Sequence, residues 1–301
     1  MKTVLVTGGT VFVSRYVAEY YVRQGDEVYV LNRGNRLQSD GVIHINADRH
    51  ALGDILNGQH FDVVIDVAAY NADDIHHLLD ALDSFDDYIF ISSSSVYPET
   101  LSQPFTEEQP IGENRIWGVY GLRKVEAEKA LQSRVPHAYI LRPPYLYGPM
   151  NNVYREAFVF DCAMQDRPFY LPRDGEMPLQ FFYIDDLCRF MDVLLTTHPE
   201  ETVYNVGNPD TVSVKEWVTL CYQAAGKTAS FVNVYNDGNV RDYFCFYDYA
   251  YTLDVQRQIA LMPHTTPLLE GLRKAYERYT AHSEEVNKKP LLAFIDEYLK
   301  E

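Results

Sequence analysis

Thr3-Val4-Leu5-Val6-Thr7-Gly8-Gly9-Thr10-Val11-Phe12-Val13-Ser14 runs from a short apolar stretch, through a glycine pair, into a helix-patterned segment at residues 12–23. A strand, a tight turn and a helix in that order place backbone N–H groups at a helix N-terminus, where a dinucleotide's pyrophosphate can be received. The full fingerprint has three glycines. Here Val11 holds the second place and Ser14 the third. Backbone approach at Val11 is therefore more crowded, and the phosphates take a slightly different route.

Outward from this turn the pattern repeats. Apolar runs at residues 27–31, 42–45, 62–66, 88–91 and 137–141 read as strands, and residues 71–82 and 120–133 read as helices, with residues 51–56 between the third and fourth runs. A loop rich in Pro, Glu and Gly covers residues 98–118. Strands alternating with helices predict an α/β fold, a Rossmann-type doubly wound parallel sheet. The strands are almost continuously apolar, as expected where helices cover both faces. After Pro149 the spacing becomes irregular, with turns at Pro168, residues 172–175, Asn208-Pro209 and residues 236–238. Residues 181–184 and 203–206 are expected to return to the sheet, and helices are expected at 186–195, 213–225, 267–279 and 290–299. The predicted organisation is a dinucleotide-binding domain at 1–150, with returning segments at about 180–207, and a smaller, mainly substrate-binding part at 151–301.

The chain has 26 Lys plus Arg against 43 Asp plus Glu, a net charge of −17. Such an excess repels phosphate backbones and anionic membranes, so neither nucleic acid nor membrane is an expected partner. The first residues turn polar too quickly for a signal peptide, and no run approaches bilayer-spanning length. Cys162, Cys188, Cys221 and Cys245 are dispersed without metal-ligand spacing. Buried thiols in a reducing cytoplasm, and no metal site, are the expectation.

The second strand ends at Leu31-Asn32-Arg33-Gly34, about where an NAD site places an acidic residue for the ribose. Arg33 facing a 2′-phosphate favours NADP over NAD; a surface arginine in a turn is the alternative. Asp48, after the third strand, either accepts from an adenine amino group or is a solvated turn residue.

Tyr120-Gly121-Leu122-Arg123-Lys124 puts a phenol and an ammonium one helical turn apart on one face. A phenol titrates near about 10, and a fixed cation beside it favours the phenolate, bringing it toward useful acid–base range. In a chain with 24 tyrosines such a spacing arises by chance, so its company decides its meaning.

That company is ordered. TGGTxF at residues 7–12, DVVIDVAA at 62–69, SSSSVY at 92–97, LRPPYLYGP at 141–149, FFYIDDL at 181–187 and YNVG at 204–207 accompany the tyrosine helix. Together they resemble the extended short-chain dehydrogenase/reductase family, its NAD(P)-dependent epimerase/dehydratase group, over nearly the whole chain. The resemblance implies a catalytic Ser93, with Tyr120 as general acid/base and Lys124 binding the nicotinamide ribose while lowering the tyrosine pKa. It also implies cofactor contacts from Thr7, Gly8, Gly9, Thr10, Phe12, Val13, Asn32, Arg33, Asp48, Ala68 and Ala69, and substrate contacts from Ser94, Tyr145, Asn151 and Asn152. Several positions depart from the pattern. Ser94 and Ser95 stand where sugar-nucleotide dehydratases carry acids, Tyr145 where many epimerases carry Asn, and Leu179 where an Arg grips substrate phosphates. The expected function is hydride transfer to or from a secondary alcohol or ketone, sugar-like in character, as reductase or epimerase, with a homodimer expected from relatives. The alternatives are a dinucleotide-sensing regulator or an RNA-binding protein, since a plant branch of stem-loop RNA-binding proteins shares the TGGTxF turn.

Overall fold

The computed structural model describes residues 1–235 and 238–300; Asn236-Asp237, the first part of one expected turn, lie outside them. Strands β1 (Thr3–Thr7), β2 (Glu27–Asn32), β3 (Val42–Asn46), β4 (His60–Asp66), β5 (Ser84–Ile91) and β6 (Tyr139–Arg142) form a parallel sheet. After β6 the chain reads Pro143-Pro144, two residues with no N–H to offer a ladder. The next strand, β7 (Tyr145–Tyr147), leaves the sheet, and β8 (Phe169–Pro172), β9 (Pro178–Leu179) and β10 (Phe181–Tyr183) follow. β11 (Val203–Asn205) then returns parallel to β6 and completes the seven-stranded order β11-β6-β5-β4-β1-β2-β3. One expectation is corrected here. Residues 181–184 do not rejoin the sheet, because β10 pairs with β7 in a separate two-stranded ladder.

The strand order reverses beside β1, between β2 and β4, which opens a crevice at the carboxyl ends of those strands. Alternation along β1 shows why both faces must be covered: Val4 and Val6 belong to one buried cluster and Leu5 to the other. Helices α1 (Phe12–Arg23) and α5 (Ile184–Thr197) cover the first face; α2 (Ala72–Ala81) and α3 (Val119–Arg134) cover the second. The Asn71 side chain caps α2 by accepting from the Asp74 amide, and Asp74 returns the bond to the Asn71 amide.

Beyond the sheet lie α4 (Glu156–Met164), α6 (Val214–Ala224), α7 (Gln256–Leu261) and α8 (Leu268–Ala281). They share the first face's core, in which Phe181 stacks on Trp217 and both meet the edge of Phe246. Leu179 is buried in this cluster. Asp185 accepts from the Tyr16 hydroxyl, and buried Asp186 accepts from the Thr266 amide and hydroxyl, so both tie α5 to its neighbours. All four cysteines are buried and free.

Candidate active site

The glycine turn is held from beneath. The Thr7 hydroxyl donates to Asp66 and accepts from the Val67 and Ala68 amides. Asp66 is fully buried, receives both guanidinium ends of Arg49 and the Tyr88 hydroxyl, and titrates below its usual range because of that cation and those donors, against the opposing effect of burial. Gly8 and Gly9 both have positive φ. A Cβ on Gly8 would lie 2.8 Å from the Ser14 hydroxyl, and one on Gly9 would lie 2.6 Å from Val30. Ser14, in the third glycine's place, therefore packs against the first, and its hydroxyl bonds back to the Val11 carbonyl.

Two cavities flank this turn and share Ala68 and Tyr70. The first, of about 330 Å³, is lined by Thr7, Gly8, Asn32, Arg33, Asp48 and Ala68, with Arg49, His50 and Asp74. The Asn32 amide group is engaged inside the protein: it donates to the Gly8 carbonyl at 2.6 Å and to Gln38. Asp48 accepts from the His50 amide, and Arg33 is exposed on the rim. The second cavity, of about 550 Å³, is lined by Phe12 and Val13 on one side and by Ser93, Tyr120, Lys124 and Tyr145 on the other. Gly9 and Thr10 belong to the turn but line neither space. Open glycine backbone at a helix N-terminus, between one pocket at the ends of β2 and β3 and another at the tyrosine helix, fits an extended dinucleotide.

Tyr120 and Lys124 lie on α3, and Ser93 follows β5 at the start of a short 3₁₀ turn over residues 94–96. The Ser93 hydroxyl accepts from the Ser95 amide and lines the same cavity as the Tyr120 phenol. Lys124 is buried; its ammonium donates to the Ala69 carbonyl at 2.8 Å and the Ile91 carbonyl at 2.9 Å. An ammonium has three donors, so one remains for the cavity that Lys124 lines. Burial lowers its pKa to about 8.

The net displacement of the Tyr120 phenol is upward. Tyr120 as a whole is 42% exposed, yet burial of its hydroxyl end pushes the phenol above its ordinary value. The Ser93 hydroxyl and the charge of Arg155 act in the opposite direction. The Lys124 ammonium is committed to two carbonyls.

Substrate-side expectations divide. Tyr145 lines the larger cavity; its buried hydroxyl lies beside that of Tyr251 without a hydrogen bond of normal geometry. Ser94 is buried and donates to Tyr251. Asn151 does not reach the cavity, because its amide donates to buried Glu156, and the Asn152 carbonyl is taken by the Asn287 amide. In their place the structure brings Tyr70, Trp117, Arg155, Tyr247 and Tyr251 to the walls. The aromatic run at residues 243–251 carried a signal for two of them. Arg155 carried a fainter one, a cation at a helix start, where the dipole disfavours it.

Residues 4–207 match the model of the NAD dependent epimerase/dehydratase family. The chain belongs to this family. Among curated relatives it is 26% identical to the chloroplast stem-loop binding protein of 41 kDa b from Arabidopsis thaliana, covering 91% of this chain and 78% of that one. It is 25% identical to a dTDP-glucose 4,6-dehydratase of Streptomyces griseus, over 87% and 78% of the two chains. Among solved structures, the UDP-glucuronic acid 4-epimerase from Bacillus cereus in complex with UDP-glucuronic acid and NAD superposes with a TM-score of 0.72 at 19% identity, covering 93% of this chain and 99% of that one. That likeness establishes the shared fold. No helix among the described residues is long and apolar enough to cross a membrane.

Proposed function

We propose that the chain is an NAD-dependent oxidoreductase or epimerase acting on a secondary alcohol or ketone of sugar-like character. The observation that carries this reading is the joining of Ser93, Tyr120 and Lys124 at one wall of a cavity whose other wall is Val11 to Ser14, the start of α1 just after the glycine turn. The bound dinucleotide would supply or accept a hydride. The protein's own part is proton handling and charge stabilisation. Tyr120 is a neutral phenol at physiological pH and is poised to donate to a developing alkoxide, while Ser93 bonds the same oxygen. The free donor of Lys124 is available to a ribose hydroxyl.

Dehydration is disfavoured. Elimination of water needs an added acid and base, but Ser94 and Ser95 stand at those places and no Asp or Glu among the described residues lines the cavity. NADP, expected first from Arg33, has no support from the family's description or from the solved neighbours, whose bound cofactor is NAD. NAD is therefore the proposed cofactor. The stem-loop-binding relative raises a nucleic-acid stem-loop as a second ligand, but a net charge of −17 speaks against it.

The test is Tyr120→Phe, assayed by fluorescence titration with NADH and NADPH and by turnover across a panel of sugar-like alcohols. Binding of NADH should survive the substitution while turnover falls by two to four orders of magnitude, on the order of a lost general acid. Undiminished turnover would overturn the assignment of Tyr120, and a clear preference for NADPH would restore the Arg33 argument.

A further inference from the structure

The larger cavity is an inversion of the molecule around it. In a chain of net charge −17, no carboxylate among the described residues lines this space, whereas two cations do, Lys124 and Arg155. Lys124 is committed to backbone carbonyls. Arg155 is not so engaged: its one hydrogen bond is a long 3.5 Å contact with the Leu146 carbonyl, and among the described residues no carboxylate pairs with it. Glu156, its sequence neighbour, turns inward to Asn151 and the Gly148 amide.

The guanidinium is nonetheless held in place. It lies 4.9 Å over the Tyr145 ring and 5.8 Å from that of Phe246. It stands at the N-cap of α4, where the helix dipole adds to its positive field instead of offsetting it. Arg241, over the ring of the cavity residue Tyr247, and Lys289 add further positive charge nearby, and the Lys289 ammonium is held below its ordinary pKa first by burial and then by Arg241 and Arg155. A stacked, unpaired guanidinium in a partly enclosed site is built to receive an anion in its plane.

We propose that Arg155 anchors an anionic group of the substrate, a carboxylate or phosphate, and so restricts the enzyme to acidic sugar-like compounds. The proposal rests on the reading that this cavity is the substrate site. With Leu179 buried where relatives grip a diphosphate, Arg155 is the substrate-side cation that remains in the cavity. The same charge acts on Tyr120, so a substrate anion that neutralises Arg155 returns the phenol toward its proton-holding form.

The test uses the protein saturated with NAD and titrates glucuronate and inorganic phosphate, with glucose as neutral control, followed by calorimetry and Trp117 fluorescence. Glucuronate should bind at least about 10-fold tighter than glucose. Arg155→Gln should weaken both anions by roughly 10- to 100-fold, the range of a charge-assisted hydrogen bond, and Arg155→Lys should recover part of the loss. NAD affinity should stay within about twofold. Comparable binding of glucose and glucuronate, absence of anion binding to the wild type, or an equal loss of NAD affinity in Arg155→Gln would each overturn the proposal. Failure of the wild type to bind NAD at all would instead strike the functional reading beneath it.

Discussion

Gly121→Ala sets two physical effects against each other within the YGLRK segment. On an exposed helix the substitution stabilises by about 1 kcal/mol, because alanine loses less backbone freedom than glycine. Gly121 is on α3 but buried against the serine loop, and a Cβ there would lie 2.5 Å from the Ser95 carbonyl oxygen. An ordinary contact begins at 3.4 Å, so helix and loop must part by about 0.9 Å. The neighbour is backbone and cannot rotate away. Overpacking of this kind costs about 1–3 kcal/mol, which outweighs the propensity gain and leaves a net loss near 1 kcal/mol. The displaced loop carries Ser93, and a shift approaching 1 Å at a reacting group costs on the order of 100-fold in rate. Urea unfolding should give a lower midpoint with an unchanged slope, and turnover should fall well beyond what the lost stability explains. A variant more stable than the wild type with unimpaired turnover would refute the claim that the helix and loop are in hard contact at this point.

Two further outcomes follow from buried charges. Glu128 accepts from Ser92 and, through both oxygens, from Arg142, with neither partner more than 4% exposed. Glu128→Gln leaves an uncompensated guanidinium inside the protein and should cost about 3–5 kcal/mol in denaturant titration; a loss below about 1 kcal/mol would contradict the burial. Lys124 has its ordinary value of 10.5 lowered to about 8 in the folded state. Its ammonium is therefore lost as pH rises through about 8, and a ribose contact made by it should weaken over that limb. Over the same window the unfolded chain holds the extra proton, so this group's contribution to folding stability rises between pH 8 and 10.5. Activity and stability should thus move in opposite directions, and Lys124→Met should abolish both trends.

Much of this was legible in the sequence because it rests on local rules. The Gly8-Gly9 turn, the apolar strands and the Tyr120–Lys124 spacing are each short-range signals. What was not legible depends on tertiary partners. β7, β9 and β10 are two or three residues long and exist through pairing across the chain. α4 is buried on nearly every side, so it shows no amphipathic period to read. Asn151 was a substrate contact by resemblance alone, and its amide serves Glu156 instead. The site cation Arg155 is distinguished by the carboxylates missing around it, and a linear sequence does not display absence.

The bonds from Lys124 to the Ala69 and Ile91 carbonyls clamp the loop leaving β4 to the end of β5. This side chain is a rivet as well as a reagent. A descendant that abandoned chemistry and kept only ligand sensing would still be under pressure to retain it. Its presence alone is consequently no witness to catalysis, and the hydroxyl of Tyr120 is the group whose removal tells the two roles apart.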